Sequence, residues 1–189
     1  MPDPESFFQP GDALLVVDVQ VDFCPGGALP IPDGDQILAS LNPWIRSAEA
    51  KDLHIVFSRD FHPRKHPSFQ DQGGSWPVHC LQDTPGAAFH PELFLPRNRI
   101  LVTKGVRFDQ DQNSAFDQTG LEHLLQGLGL HRVIVAGLAL DVCVLATVLD
   151  SSRLGLNTHV LLSCTRAVSE SGGRDAKEQM QQAGAVLHP

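Results

Sequence analysis

The sequence has no tyrosine, only two tryptophans and only two methionines in 189 residues, yet it has nine histidines. It also lacks an excess of basic charge: 14 Lys and Arg stand against 22 Asp and Glu, a formal net charge of −8. That balance argues against nucleic-acid and anionic-membrane partners, both of which favour a basic surface. The four cysteines, Cys24, Cys80, Cys143 and Cys164, form no CxxC pair. No apolar run is long enough to span a bilayer. The first twelve residues show neither a basic start nor an apolar h-region, so no secretory signal is expected. A reduced cytoplasm is the expected compartment, where a lone cysteine is structural or catalytic rather than disulfide-bonded. There is no internal repeat, low-complexity tract or linker, and residues 1–189 read as one domain.

What is present is a core. Hydrophobic residues make up 42% of the chain, enough to bury a sizeable interior. Short apolar runs rich in β-branched residues fall at 13–18, 53–58, 99–103, 132–137, 158–163 and 185–187. Uninterrupted by polar positions, they read as strands buried on both faces. Helical spacing appears between them, at 35–51 (Ile37, Leu38, Leu41, Ile45), 120–129 (Leu121, Leu124, Leu125, Leu128), 143–154 and 173–183. Strand–helix alternation predicts an α/β fold with a parallel sheet covered on both sides. In such sheets the ligand site lies beyond the carboxyl ends of the strands.

That rule picks out a small set of residues. Asp18 ends the first run, Asp60-Phe61-His62 follows the second, Lys104 follows the third, and Cys143 follows the fourth after the turn Gly137-Leu138-Ala139-Leu140-Asp141. Cys143 would open a helix, where free N–H groups and the helix dipole favour a thiolate; the alternative is an inert buried thiol. Asp18, at the end of an apolar strand, would have a raised pKa and could serve as a general base, or it could cap a turn. Lys104 is either a solvated strand exit or a cation that stabilises the thiolate and orients the carboxylate. Asp60 and His62, two apart in an extended segment, point the same way. With His79 they could form a two-His, one-carboxylate metal set with open positions, and His66 is a candidate extra ligand; the alternative is ordinary loop hydrogen bonding. Cys24, Cys80, Cys164 and the other histidines read as structural or surface residues.

Taken together, the motifs resemble a known family. Val17-Asp18-Val19-Gln20, Asp22-Phe23-Cys24-Pro25-Gly26-Gly27-Ala28-Leu29, Asp60-Phe61-His62-Pro63, Ser75-Trp76-Pro77-Val78-His79-Cys80, Thr84-Pro85-Gly86-Ala87, Lys104-Gly105 and Gly137-Leu138-Ala139-Leu140-Asp141-Val142-Cys143-Val144 follow the order found in the isochorismatase-like cysteine hydrolases, and within them the nicotinamidases. The resemblance implies a six-stranded, mainly parallel sheet in an α/β/α sandwich and a catalytic triad of Asp18, Lys104 and Cys143. It implies one divalent metal (zinc, iron or manganese) on Asp60, His62 and His79, and Phe23 and Trp76 sandwiching the substrate ring. It also implies an oxyanion hole from the backbone N–H groups of Ala139 and Cys143, with a cis bond between Leu138 and Ala139. The substrate implied is nicotinamide, with pyrazinamide as a second, in NAD salvage. Self-association of the chain is left open. The sequence departs from the family pattern at Val21, often Asn, at Val142, often polar, and at Phe61, commonly Trp. The alternatives are another hydrolase of the superfamily, acting on isochorismate or a linear amide, and a catalytically silent binding module on the same fold.

Overall fold

A computed structural model of the protein describes residues 2–189. Each expected apolar run forms a strand: β1 (Asp12–Val17), β2 (His54–Asp60), β3 (Ile100–Lys104), β4 (Arg132–Leu138), β5 (Asn157–Arg166) and β6 (Val186–His188). They make one sheet in the order β3-β2-β1-β4-β5-β6, and every neighbouring pair is parallel. The helices are α1 (Pro4–Phe7), α2 (Ile37–Ala50), α3 (Leu121–Gly127), α4 (Leu145–Arg153) and α5 (Glu170–Gln182).

Side chains alternate across the sheet, so each central strand feeds two cores. Leu14, Val16, Ile55, Phe57, Ile134 and Ala136 pack on one face with Ile37, Leu41, Trp44 and Ile45 of α2. Ala13, Leu15, Val17, Val56, Val133 and Val135 pack on the other with Leu121 and Leu125 of α3, Val148 of α4, and Ala176 and Met180 of α5. Each such side chain, fully buried, contributes about 1.5–3 kcal/mol. The three layers are those the resemblance implied.

The differences from the sequence reading are local. β5 continues past Ser163 to Arg166, because Thr165 and Arg166 pair with Gly137 and Leu138 beyond a register shift at which β5 carries the extra residues; their polarity hid the extension. α5 begins at Glu170 rather than 173, with the Ser169 hydroxyl accepting from the Gly172 N–H as its cap.

The strand order reverses at β1, which leaves β2 and β3 on one side and β4 to β6 on the other. Connections diverge at such a switch point and open a crevice beyond the strand ends. Gly137 lies beside it, paired with Val17. Its φ is +120°, and a Cβ there would run into the Val17 backbone, so only glycine lets β4 approach β1 this closely.

Candidate active site

The crevice beyond β1, β2, β3 and β4 gathers the predicted residues. Asp18 follows β1 directly, at φ 48°, a left-handed conformation that Asp tolerates better than most residues. Asp60 and Lys104 are the last residues of β2 and β3 and are direct register partners. Cys143 sits in the π-helical turn Leu140–Val144, just ahead of α4.

Lys104 is the centre of the arrangement. Its side chain is wholly buried, and its Nζ lies 2.7 Å from Asp18 Oδ2 and 2.7 Å from Asp60 Oδ1. It also donates to the Gln112 carbonyl (3.3 Å) and reaches Cys143 Sγ at 3.4 Å. Burial alone would depress the lysine, but Asp18, Asp60 and Cys143 outweigh it and hold Lys104 well above its usual range. It is therefore a permanent cation. Asp18 is fully buried as well; burial raises its pKa against the pull of Lys104, and Asp60 adds to the rise. The Ser58 hydroxyl donates to Asp18 Oδ1 at 2.6 Å and fixes its plane.

Cys143 lies in the helical turn that runs directly into α4, as expected. The expected preference for a thiolate is not seen: burial pushes the thiol well above its ordinary value, with Lys104 opposing and the charges of Asp18 and Asp60 reinforcing the rise. A thiol raised in this way does not favour a standing thiolate, so its use as a nucleophile would call for proton transfer to a neighbouring base. Of the four free cysteines, Cys143 is the one that lines the crevice. Burial holds Cys24 and Cys164 up at about 11, and Cys80 is raised further still.

Asp60, His62 and His79 each place one ligand atom within 4.8 Å of the others. Both imidazoles are anchored through Nδ1. His62 Nδ1 lies 2.8 Å from the Gly105 carbonyl, and His79 Nδ1 lies 2.7 Å from the Pro77 carbonyl, which leaves each ring's Nε2 as the ligand atom. A Cβ at Gly105 (φ +68°) would strike the His62 ring. Among the described residues, the Nε2 atoms of His62 and His66 are buried without a hydrogen-bond partner, a costly state for groups with no ligand. Burial keeps His79 below its usual pKa and brings His66 down to about 4, so both present neutral imidazole, the form that binds metal. The residues fit a divalent cation. Asp60 can serve as an anionic ligand because Lys104 and then His62 overcome the effect of burial and hold it below its usual pKa.

Phe23 and Trp76 both line the crevice, together with Asp60, His62, His79, Ala139, Val142 and Cys143. The Leu138–Ala139 peptide is cis. Several residues at the site were given no role from sequence. Gln20, fully buried, donates from Nε2 to the carbonyls of Asp60 (2.8 Å) and Ala87 (2.9 Å) and accepts from the Asp60 N–H (2.7 Å). Its signal was a polar side chain straight after an apolar strand. Asp111 and Asn113, on the loop after β3, also line the crevice, with Asn113 Oδ1 3.9 Å from Cys143 Sγ. The link between Lys104 and Asp60 was likewise unforeseen.

The isochorismatase domain matches residues 12–188 of this chain. The nicotinamidase of Escherichia coli is 35% identical over 95% of this chain and 95% of its own length. Among solved structures, the pyrazinamidase of Pyrococcus horikoshii in complex with zinc superposes with a TM-score of 0.91 at 40% identity, covering 95% of this chain and 99% of that one. A protein of L. infantum in complex with nicotinate superposes with a TM-score of 0.85 at 35% identity, over 94% and 91%.

Proposed function

The chain belongs to the isochorismatase-domain family, and from that premise we propose that it is a nicotinamidase, one hydrolase domain that converts nicotinamide to nicotinate and ammonia and also accepts pyrazinamide. The observation that carries this reading is that a buried acid–lysine–thiol set and a cation-binding set open on one crevice with Phe23 and Trp76. A linear-amide hydrolase needs the first set. A substrate with a basic ring nitrogen accounts for the second.

Asp18 takes the proton of Cys143 as Sγ attacks the carboxamide carbon. The backbone N–H groups of Ala139 and Cys143 receive the oxyanion. The proton on Asp18 passes to the amide nitrogen, the C–N bond breaks, ammonia leaves and a thioester remains on Cys143. Water then adds to the thioester as Asp18 accepts its proton. The C–S bond breaks, and that proton returns to Sγ. Lys104 keeps its charge throughout and holds Asp18 beside the thiol. Phe23 and Trp76 flank the ring. Asp60, His62 and His79 would hold the divalent cation, with His66 as a fourth protein ligand; zinc is the first candidate, iron and manganese the others. When bound, the cation would supply Lewis-acid affinity for a pyridine nitrogen and so help to fix the ring.

The reaction fits pyridine nucleotide salvage in the cytoplasm, where four free cysteines remain reduced. The deciding experiment is ammonia release by the zinc-loaded protein from nicotinamide and from pyrazinamide. Turnover of both is expected; no ammonia from nicotinamide, with the same preparation hydrolysing another family substrate, would overturn the proposal.

A further inference from the structure

A second carboxylate approaches the cation site from outside the strand ends. Asp111 lies half-buried on the segment between β3 and α3 and lines the crevice. One ligand atom each from His62, His66 and Asp111 lie within 4.8 Å of one another. This trio shares His62 with the set of Asp60, His62 and His79, so the two sets adjoin at that imidazole. The Asp111 charge also acts on both His66 and His79. Its Oδ1 accepts from the Gln112 N–H at 2.9 Å, which anchors the carboxylate to the same residue whose carbonyl holds Lys104. His66 is anchored likewise, with Nδ1 2.7 Å from the Ser68 hydroxyl and its buried Nε2 unpartnered.

We propose that Asp111 is a ligand of the cation, so that it is held by two carboxylates and three imidazoles: Asp60 and Asp111 with His62, His66 and His79. The inference rests on the cation site of the proposed function and extends it. Geometry supports it: two donors on opposite sides of an ion, each about 2.1 Å away, are about 4.2 Å apart, and the donors of His62, His66 and Asp111 lie within 4.8 Å of one another. Charge supports it independently. A dication and Lys104 bring three positive charges into the buried cluster. Asp60 and the one negative charge that Asp18 and Cys143 share, wherever their common proton sits, cancel two of them. Asp111 cancels the third, and a buried cluster left with a net charge would be costly. Three imidazoles and two carboxylates leave one position of an octahedron open, the number a single ring nitrogen requires.

The test is binding of zinc and of cobalt(II) to metal-free protein, with no substrate present. Asp111→Asn should weaken zinc binding on the order of 10²-fold and change the visible absorption of the cobalt(II) form, because a ligand has been lost. Asp111→Glu should recover much of the affinity. Asp109→Asn, on the same segment but paired with Arg107, should bind as the parent does. His62→Ala sets the scale for losing a ligand. If His62→Ala weakens zinc but Asp111→Asn stays within about threefold of the parent, or its cobalt(II) spectrum superimposes on the parent's, the Asp111 assignment is overturned while the cation site stands. If neither substitution affects zinc binding, the cation site itself fails. An unchanged melting temperature of metal-free Asp111→Asn separates lost ligation from misfolding.

Discussion

Replacing Lys104 by Met tests the centre of the arrangement, because it removes one charge and almost no volume. The side chain has no exposed surface, and it holds Asp18 and Asp60 at 2.7 Å each. Removing one partner of a buried ion pair costs about 3–5 kcal/mol, since the other charge stays buried and uncompensated. A domain of this size loses about 2–4 °C in melting temperature per kcal/mol, so the midpoint should fall by about 6–20 °C at pH 7. The measurement belongs on metal-free protein, because a cation on Asp60 would replace part of the missing charge. The pH dependence has a definite sign. In the parent, Lys104 is raised above 10.5, so its stabilisation is fully present at neutral pH and below. In the variant, Asp60 loses the partner that held it down. Asp18, raised even beside Lys104, loses the same partner and rises further, and a carboxylate raised in the folded state loses stability as pH rises through its folded value. The deficit against the parent should therefore be greatest at neutral pH and shrink towards pH 4. A drop of less than about 2 °C at pH 7, or a deficit that does not shrink on acidification, would refute the reasoning.

Cys143→Ala should abolish turnover and leave the fold intact; Asp18→Asn should cost on the order of 10²–10⁴-fold, and the double variant should be no worse than the worse single one. Losses that multiply would show that the two groups do not share a step. Stripping the cation should slow nicotinamide hydrolysis on the order of 10²-fold by loosening the ring, while iodoacetamide still labels Cys143; benzamide, which has no ring nitrogen, should be a very poor substrate, and parity with nicotinamide would remove ring anchoring as the cation's role. Away from the site, burial and then Arg132 and His188 bring His159 down to about 4. The unfolded chain then binds more protons than the folded one between about pH 4 and 6.5, so stability should rise with pH across that window. His159→Gln should flatten this slope in a thermal-melt series, and an unchanged slope would assign it to other groups.

The sheet was legible because β1, β2 and β4 are nearly pure apolar runs, and burial on both faces demands that pattern. β5 was legible only to Ser163, since Thr165 and Arg166 pair in the sheet without looking apolar. The site was legible to the extent that strand ends carry it: Asp18, Asp60, Lys104 and Cys143 each terminate or follow a run that could be read. The contact between Asp60 and Lys104 was not, because it depends on the register of β2 against β3, and spacing along the chain carries no information on register. Asp111 and Asn113 escaped for a different reason. They lie in a segment without regular structure, where no period marks the residues that turn inward. Gln20 stood within a quoted motif, yet its role in clamping the Asp60 backbone needs the partner strand in place.

One lysine between two buried carboxylates accompanies opposite shifts, an asymmetry that fits the roles proposed for them. Asp18 and Asp60 are equally close to Lys104, and burial pushes both upward. Asp60 has Lys104 as its main opposing charge, with the imidazoles of His62 and His79 beside it, and it ends below its usual value. Asp18 has only Lys104 and the Ser58 hydroxyl against burial and the charge of Asp60, and it ends above. Two acids whose environments drive them apart divide the work. The one held ionised suits a cation, which requires an anion that does not titrate. The one raised lies beside the thiol of Cys143, and a carboxylate with increased proton affinity is the better proton acceptor. Exchanging the residues would reverse the fit: a carboxylate with imidazole neighbours beside Cys143 would be too weak a base, and an isolated one beside the histidines would protonate and let the cation go. In the proposed mechanism, the positions at the ends of β1 and β2 thus fit one Asp to the role of base and the other to that of ligand.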